Sequence, residues 1–270
     1  MIEYPELEQG SEEWRQARCG IITASTVGNL ITSERPAPTE VACVDCESTP
    51  GNPCNDLRNG KAMKGVHSAR TALAATMPSR LVTADNDTSR GLILTLAAER
   101  ITGRVEDSYT TFDMQRGHDE EPWARDAYAE NYAPVTELGF CTEDRWGFTL
   151  GVSPDGLVHA DGGIEIKSRR QKNHVAIVLA DEVPPQHMPQ IQTFLLVTGR
   201  KWCDYVDFSN GMHLFRKRVW PDEQWFNAIT DAAMAAEEAI RDICARYDMA
   251  VANLPATERI VIIDLMGQPA

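Results

Sequence analysis

The segment from Gly151 to Lys167 reads Gly-Val-Ser-Pro-Asp-Gly-Leu-Val-His-Ala-Asp-Gly-Gly-Ile-Glu-Ile-Lys. It holds one aspartate, Asp155, and a Glu-x-Lys pair, Glu165 and Lys167. Side chains two apart on an extended strand share a face. Glu165 and Lys167 should therefore emerge together while Ile164 and Ile166 face a core. Asp155 closes the preceding apolar run, and Asp161-Gly162-Gly163 supplies a turn back. Two acids and a lysine on one sheet edge suit a divalent cation and an activated water. Spacing alone fits a surface hairpin of solvated charges equally well.

Three further segments could add to that cluster. Gly117-His-Asp-Glu-Glu-Pro-Trp-Ala-Arg125 places Glu121 on a helix ahead of the sheet, as a third carboxylate. Gln190 and Gln192 fall on the helix after it and offer neutral polar groups. Trp14-Arg15-Gln-Ala-Arg18, followed by Gly20-Ile-Ile-Thr-Ala-Ser25, brings an arginine and hydroxyls to a helix start, which suits a phosphate. Taken singly, these residues also fit a solvated helix charge, packing amides and a surface ion pair.

The elements around them are legible in outline. Ser11 caps a short helix to Arg18, and Thr23 is placed to cap a second one burying Val27, Leu30 and Ile31. From Ser33 to about Thr88 prolines, glycines and polar residues dominate, as in an inserted module or a mobile loop. Helical spacing resumes at Ser89 and closes at Thr102-Gly103. Another helix spans Gly117 to Asn131, and one from about His187 to Val197 ends at Gly199. Lys201–Phe208 and His213–Trp220 read as strands joined through Ser209-Asn210-Gly211. Pro221-Asp222 opens a long helix to about Asp248. The order predicts an α/β fold with mixed strands.

A net charge of -14 argues against a generally basic nucleic-acid surface. It does not exclude a nuclease, because cation-binding carboxylates contribute to it. Local basic groups are Arg169, Arg170 and Lys172, just after Lys167, and Arg216-Lys217-Arg218. No apolar run approaches the ~18 residues of a membrane span. The acidic N-terminus lacks the features of a signal peptide, so a cytoplasmic location is expected. Of 7 cysteines, Cys19, Cys141, Cys203 and Cys244 are scattered and read as buried small apolar residues. Cys43, Cys46 and Cys54 are clustered, and His67 follows. Three thiolates and an imidazole form a tetrahedral zinc set able to order a segment too polar for its own core. Four ligands leave no open position, so a structural site is expected. Arg58, Lys61, Lys64 and Arg70 would then contact DNA or a partner. Three unrelated thiols are the alternative.

In order, Trp14 to Ser25, Gly117 to Arg125, Ser153-Pro-Asp-Gly156, Glu165-Ile-Lys167 and Met188-Pro-Gln-Ile-Gln192 resemble the YqaJ-type viral recombinases. That is the family of phage lambda exonuclease, within the PD-(D/E)XK nuclease superfamily. The resemblance covers residues 8 to 35 and 89 to 245. It implies a restriction-endonuclease-like core, a mixed central sheet flanked by helices. It implies that Asp155, Glu165, Glu121 and the carbonyl of Ile166 hold two Mg²⁺ ions, with Mn²⁺ as a possible substitute. Lys167 would orient or deprotonate the attacking water, and Gln190 would lie near the nucleophile or scissile strand. Arg18, Ser25 and Ser153 would grip a 5′-terminal phosphate. The implied activity is 5′-to-3′ digestion of linear duplex DNA by a toroidal homotrimer in a phage-type or prophage-encoded system. It would leave 3′ single strands for a cognate annealing protein.

The region with Cys43, Cys46, Cys54 and His67 departs from that pattern and resembles small zinc-binding modules of actinobacterial and phage proteins. The expected layout is one nuclease domain over residues 1–250, interrupted by an insert at 36–88 that carries a zinc module at 43–70. A tail at 251–270 follows. An endonuclease or repair nuclease on the same fold, and a nonenzymatic zinc-containing DNA-binding protein, are the competing readings. An intact Asp155, Glu165 and Lys167 set weighs against the last.

Overall fold

The computed structural model describes residues 1–106 and 111–259. Of the expected 251–270 tail, residues 260–270 lie outside the described residues. The chain opens with strand β1 (Ile2–Tyr4) and helix α1 (Glu12–Ala17), which Ser11 caps by accepting from the Trp14 N–H. After β2 (Ile22–Thr23) comes a single 3₁₀ turn at Val27–Leu30, in place of the helix expected from Thr23. Val27 and Leu30 are buried as anticipated. Ile31 instead starts strand β3 (Ile31–Glu34), because its backbone pairs across to Thr83. Strand pairing here overrides a local helix signal.

β3 pairs antiparallel with β4 (Arg80–Thr83), from Ile31↔Thr83 to Glu34↔Arg80. This ribbon closes the base of the segment between them. That segment holds the cysteine loops and helix α2 (Ser68–Thr76), so it is a folded module and not a structureless loop. Helix α3 (Asp87–Thr102) begins at an Asn86 cap and ends on Gly103, whose φ of 69° is left-handed. Helix α4 (Phe112–Asn131) starts five residues earlier than read from Gly117, behind a Thr111 cap.

Five short strands follow: β5 (Val135–Thr136), β6 (Phe140–Glu143), β7 (Leu150–Val152), β8 (Gly156–Val158) and β9 (Gly162–Ser168). Helices α5 (Gln171–Ala180) and α6 (Met188–Thr198) lead to β10 (Trp202–Phe208), β11 (Phe215–Val219) and the long α7 (Glu223–Val251), capped by Asp222. The β10–β11 hairpin and the helix ending at Gly199 stand as read from sequence.

The central sheet runs β11-β10-β9-β8-β5. β9 and β10 are parallel, with α5 and α6 making the crossover, and the other pairs are antiparallel. A second sheet runs β1-β6-β7-β2. On one face of the central sheet Ile164, Ile166, Trp202 and Val206 pack against Ala124 and Tyr128 of α4. On the other, Cys203 and Tyr205 join Ile191, Phe194 and Leu195 of α6 and the buried side of α7. Burial of each isoleucine stabilises by about 1.5–3 kcal/mol relative to exposure, which fixes the register of β9. The expected turn at Asp161-Gly162-Gly163 lies slightly earlier, at residues 159–161, and both glycines already belong to β9. They are required there by packing. A Cβ on Gly162 would sit 2.0 Å from the Trp202 ring, and one on Gly163 2.2 Å from Phe194.

Candidate active site and zinc cluster

The residues that could do chemistry meet just ahead of β8, where β9 runs on past it. β8 starts at Gly156, opposite Ile164, so the N–H of Ile166 has no partner on that strand. The Asp155 carboxylate takes its place, accepting from Ile166 N at 2.6 Å. On β9 the alternation turns Glu165 and Lys167 away from the α4 face. Lys167 Nζ stands 2.6 Å from Glu165 Oε1 and donates to Gln190 Oε1 of α6 at 3.3 Å. Glu165 does not emerge to solvent as the spacing suggested; it is only 3% exposed, because α6 packs over it. From α4, Glu121 arrives held by Arg125, whose Nη2 donates to Glu121 Oε1 at 2.5 Å. The same guanidinium donates through Nε to the Asp155 carbonyl at 2.8 Å and contacts Glu137 at 2.9 Å.

Arg125 closes the Gly117–Arg125 segment, and its part in the site shows in the folded chain. Its position four residues after Glu121, one helical turn on, was the available signal.

The electrostatics are those of acids confined together. Burial, with the Asp155 charge added, pushes Glu165 up to about 8. The same two causes push Glu121 up to about 7. Burial also raises Asp155, against the pull of Lys167 and the Ile166 N–H. For Lys167 burial acts downward, but Glu165 and Asp155 more than offset it, and the ammonium form is favoured. Glu165 Oε1 accepts no hydrogen bond; Lys167 is close to it but off a hydrogen-bonding direction. A buried carboxylate oxygen met only by the Lys167 ammonium, among three acids and two cations, fits a hard divalent cation with oxygen ligands. Among the described residues, no three of these carboxylates bring oxygens within 4.8 Å of one another, so they do not form one compact cage.

Several sequence expectations need correction. Gln192 is fully buried and serves elsewhere: it donates to the Trp220 carbonyl and accepts from Asp222 N, pinning the start of α7. Helical geometry turns it away from Gln190. The basic residues after Lys167 are engaged by acids: Arg169 with buried Asp207, and Arg170 with Asp113. Arg216 and Arg218 both pair with Asp204, itself fully buried and bound by Tyr128.

Next to the acids lies a cavity of about 180 Å³ lined by Trp14, Arg18, Thr23, Ser25, Ser153, Asp155 and Gln190 among others. Arg18 donates to Ser153 Oγ and to Ser25 Oγ, each at 3.0 Å, so the three residues read as phosphate-gripping are together. Two neighbours complete the pocket, the first with no role read from sequence and the second among the hydroxyls offered there. The Trp14 indole donates to Ser153 Oγ at 2.8 Å while its ring lies under the Arg18 guanidinium, 4.1 Å from ring centre. Thr23 Oγ1 lies within 3.4 Å of Arg18, between it and Ser25. Burial lowers Arg18 to about 10, so it stays a cation at neutral pH.

In the inserted module, Cys43, Cys46, Cys54 and His67 bring their ligand atoms within 4.8 Å of one another. Three sulfurs and one ring nitrogen at that separation have the donor chemistry of a tetrahedral zinc site. All seven cysteines are free. Arg70, expected to face DNA, is instead fully buried. It donates to the carbonyls of Val41, Asn52, Thr39 and Thr49 and to Cys54 Sγ. It is the internal clamp of the module, which a polar loop with few apolar residues needs. Arg58, Lys61 and Lys64 are exposed.

A mixed sheet flanked by helices, carrying an Asp…Glu-x-Lys cluster with a helix acid beside it, is the arrangement of the PD-(D/E)XK fold. Residues 70–201 match the family model described as YqaJ-like viral recombinase domain. Residues 12–86 match one described as "Putative DNA-binding phage zinc finger domain". Those two stretches are thus similar to a viral recombinase domain and to a phage zinc-binding domain. Among solved structures, it is similar to an alkaline exonuclease (LHK-Exo) from Laribacter hongkongensis. The two are 24% identical, with a TM-score of 0.66, over 91% of this chain and 100% of that one. The structure of LHK-Exo in complex with dAMP matches with the same values, 24% identity and a TM-score of 0.66 over 91% of this chain and 100% of that one. This likeness confirms the fold. No curated protein matches the sequence.

Proposed function

We propose that the protein is a Mg²⁺-dependent 5′-to-3′ exonuclease acting on linear double-stranded DNA. The observation that carries this reading is the shared wall of the small cavity. Arg18, Ser25 and Ser153 line it together with Asp155 and Gln190, so a chain end held by the first three would lie close to the other two.

Asp155, Glu165, Glu121 and the Ile166 carbonyl would hold two Mg²⁺ ions, with Mn²⁺ as a substitute. When bound, such ions lower the pKa of a water and neutralise charge on the leaving 3′ oxygen. The chain's own groups do the rest. Lys167, kept as an ammonium, donates to and orients the attacking water. Gln190 holds Lys167 and faces the same space. Arg125 holds Glu121 in place and fixes the Asp155 backbone. Arg18 and the hydroxyls around it bind a 5′-phosphate with charge-assisted bonds, which supplies the polarity.

The wider proposal is one nuclease domain over residues 1–250, interrupted by a zinc-holding insert, with Cys43, Cys46, Cys54 and His67 as structural Zn²⁺ ligands. A homotrimer would produce 3′ single strands for a cognate annealing protein of a phage recombination system, in the host cytoplasm. No helix among the described residues is long and apolar enough to cross a membrane.

Timed digestion of end-labelled duplex tests this reading. Linear DNA with Mg²⁺ should lose nucleotides from 5′-phosphorylated ends and leave 3′ overhangs. Covalently closed circles should stay intact; their cleavage would establish an endonuclease instead.

A further inference from the structure

The backbone that carries Arg18 into its pocket is gripped from outside the pocket. Gly20 donates its N–H to Glu99 Oε2 at 2.7 Å, and its carbonyl accepts from Arg100 Nε at 2.8 Å. One residue is thus fastened on both of its backbone polar groups by successive residues near the end of α3. Arg100 is fixed in turn by α7, through two bonds to Glu237, from Nη1 at 2.8 Å and Nη2 at 2.5 Å. Glu237 is buried and the Arg100 side chain is 31% exposed, so this is a fork-to-fork pair buried on its carboxylate side. The Gln16 side chain adds a bond to the Gly103 carbonyl, tying α1 to the end of α3.

Gly20 itself has a φ of 68°, in the left-handed region, and a Cβ there would meet Arg100 Cγ at 2.6 Å. The close approach of Arg100 therefore depends on glycine. None of these groups lines the small cavity. Glu99 is also the carboxylate that supports the half-buried Arg18 charge.

From this we infer that Glu99, Arg100 and Glu237 are positioning residues for end recognition: they hold the Arg18–Gly20 turn so that Arg18 reaches a 5′-phosphate. The inference rests on the proposed phosphate-binding role of Arg18. α7 thereby becomes part of the specificity apparatus, although it supplies no group to the cavity. Binding of a phosphorylated end should depend on this brace, while turnover of the bound scissile bond should not.

The test compares initial rates on duplexes with 5′-phosphate and 5′-hydroxyl ends, in Mg²⁺, using the full chain. Arg100→Lys should raise KM for phosphorylated ends about tenfold with kcat little changed, and leave hydroxyl-ended DNA nearly unaffected. A purely structural role would instead lower both substrates together. The double variant Arg100→Glu with Glu237→Arg restores the α3–α7 ion pair but not the bond to the Gly20 carbonyl. It should fold, shown by its melting temperature, and still have lost the preference for phosphate. Recovery of that preference in the double variant would overturn the proposal. Arg18→Ala, run alongside, checks the underlying reading: if it keeps the full phosphate preference, that reading fails, and the brace proposal fails with it.

Discussion

Ser153 and Asp155 stand two residues apart ahead of β8, and both line the same cavity. Ser153 Oγ is held by Arg18 and the Trp14 indole, while the Asp155 carboxylate is held by the Ile166 N–H. Between them, the Pro154 carbonyl accepts from Gln9 at 2.9 Å. One short segment thus joins the pocket for a DNA end to the acid cluster, and a shift in either would be felt in the other.

Asp155→Asn and Lys167→Gln should therefore separate two functions. Both should reduce nucleotide release by ~100-fold or more, as expected for groups that hold or orient the reacting species. Only the aspartate variant should also lose thermal stabilisation by Mg²⁺, because Lys167 is a donor and not a metal ligand. Differential scanning fluorimetry with and without Mg²⁺ would read this. A lysine variant that also lost the Mg²⁺ shift would contradict the separate roles.

The raised acids predict a pH dependence with a definite sign. Glu165 and Glu121 titrate near 8 and 7 in the metal-free fold, above the ordinary carboxylate value of 4.5. Acids raised in the folded state contribute stability below their unfolded pKa and lose it as pH climbs through the folded pKa. The metal-free protein should then melt progressively lower between about pH 5 and pH 8.5, each kcal/mol costing ~2–4 °C for a chain of this size. Saturating Mg²⁺ should offset much of that fall, so its stabilising shift grows with pH. Glu165→Gln should flatten the metal-free slope; an unchanged slope would show that Glu165 is not the responsible acid.

Trp14 offers a milder probe of the end pocket. Trp14→Phe keeps an aromatic ring under Arg18 but removes the indole bonds to Ser153 Oγ and the Gly139 carbonyl. A lost hydrogen bond of about 1 kcal/mol should raise KM for phosphorylated ends ~5-fold, with little effect on kcat. Steady-state kinetics on the two kinds of end would measure it.

The insert should behave as a metal-dependent unit. Purified protein should contain one zinc per chain by elemental analysis, and Cys46→Ser should lose it. Arg70→Ala should strand several buried carbonyls and cost the module about 3 kcal/mol. Limited proteolysis should then cut within residues 43–67, while the core from α3 onward resists. Resistance of the Arg70 variant would show that the clamp is dispensable.

Much of the site was legible in sequence because its geometry is local. Period-two alternation brings Glu165 and Lys167 to one face, and the apolar isoleucines between them fix which face it is. Glycine at 103 and 199 and the caps at Ser11 and Asp222 marked helix ends by chemistry that acts within one turn. Cys43, Cys46, Cys54 and His67 announced themselves by donor type. What the sequence could not reveal depended on distant partners. A side chain's direction on α6 decided that Gln190 meets Lys167 while Gln192, two residues on, pins α7. Burial decided that Arg70 is a clamp and not a DNA contact. Packing of α3 and α7 against the Arg18 turn joined residues 20, 99, 100 and 237. Their side chains carry no shared spacing, and only the folded chain gathers them around one glycine.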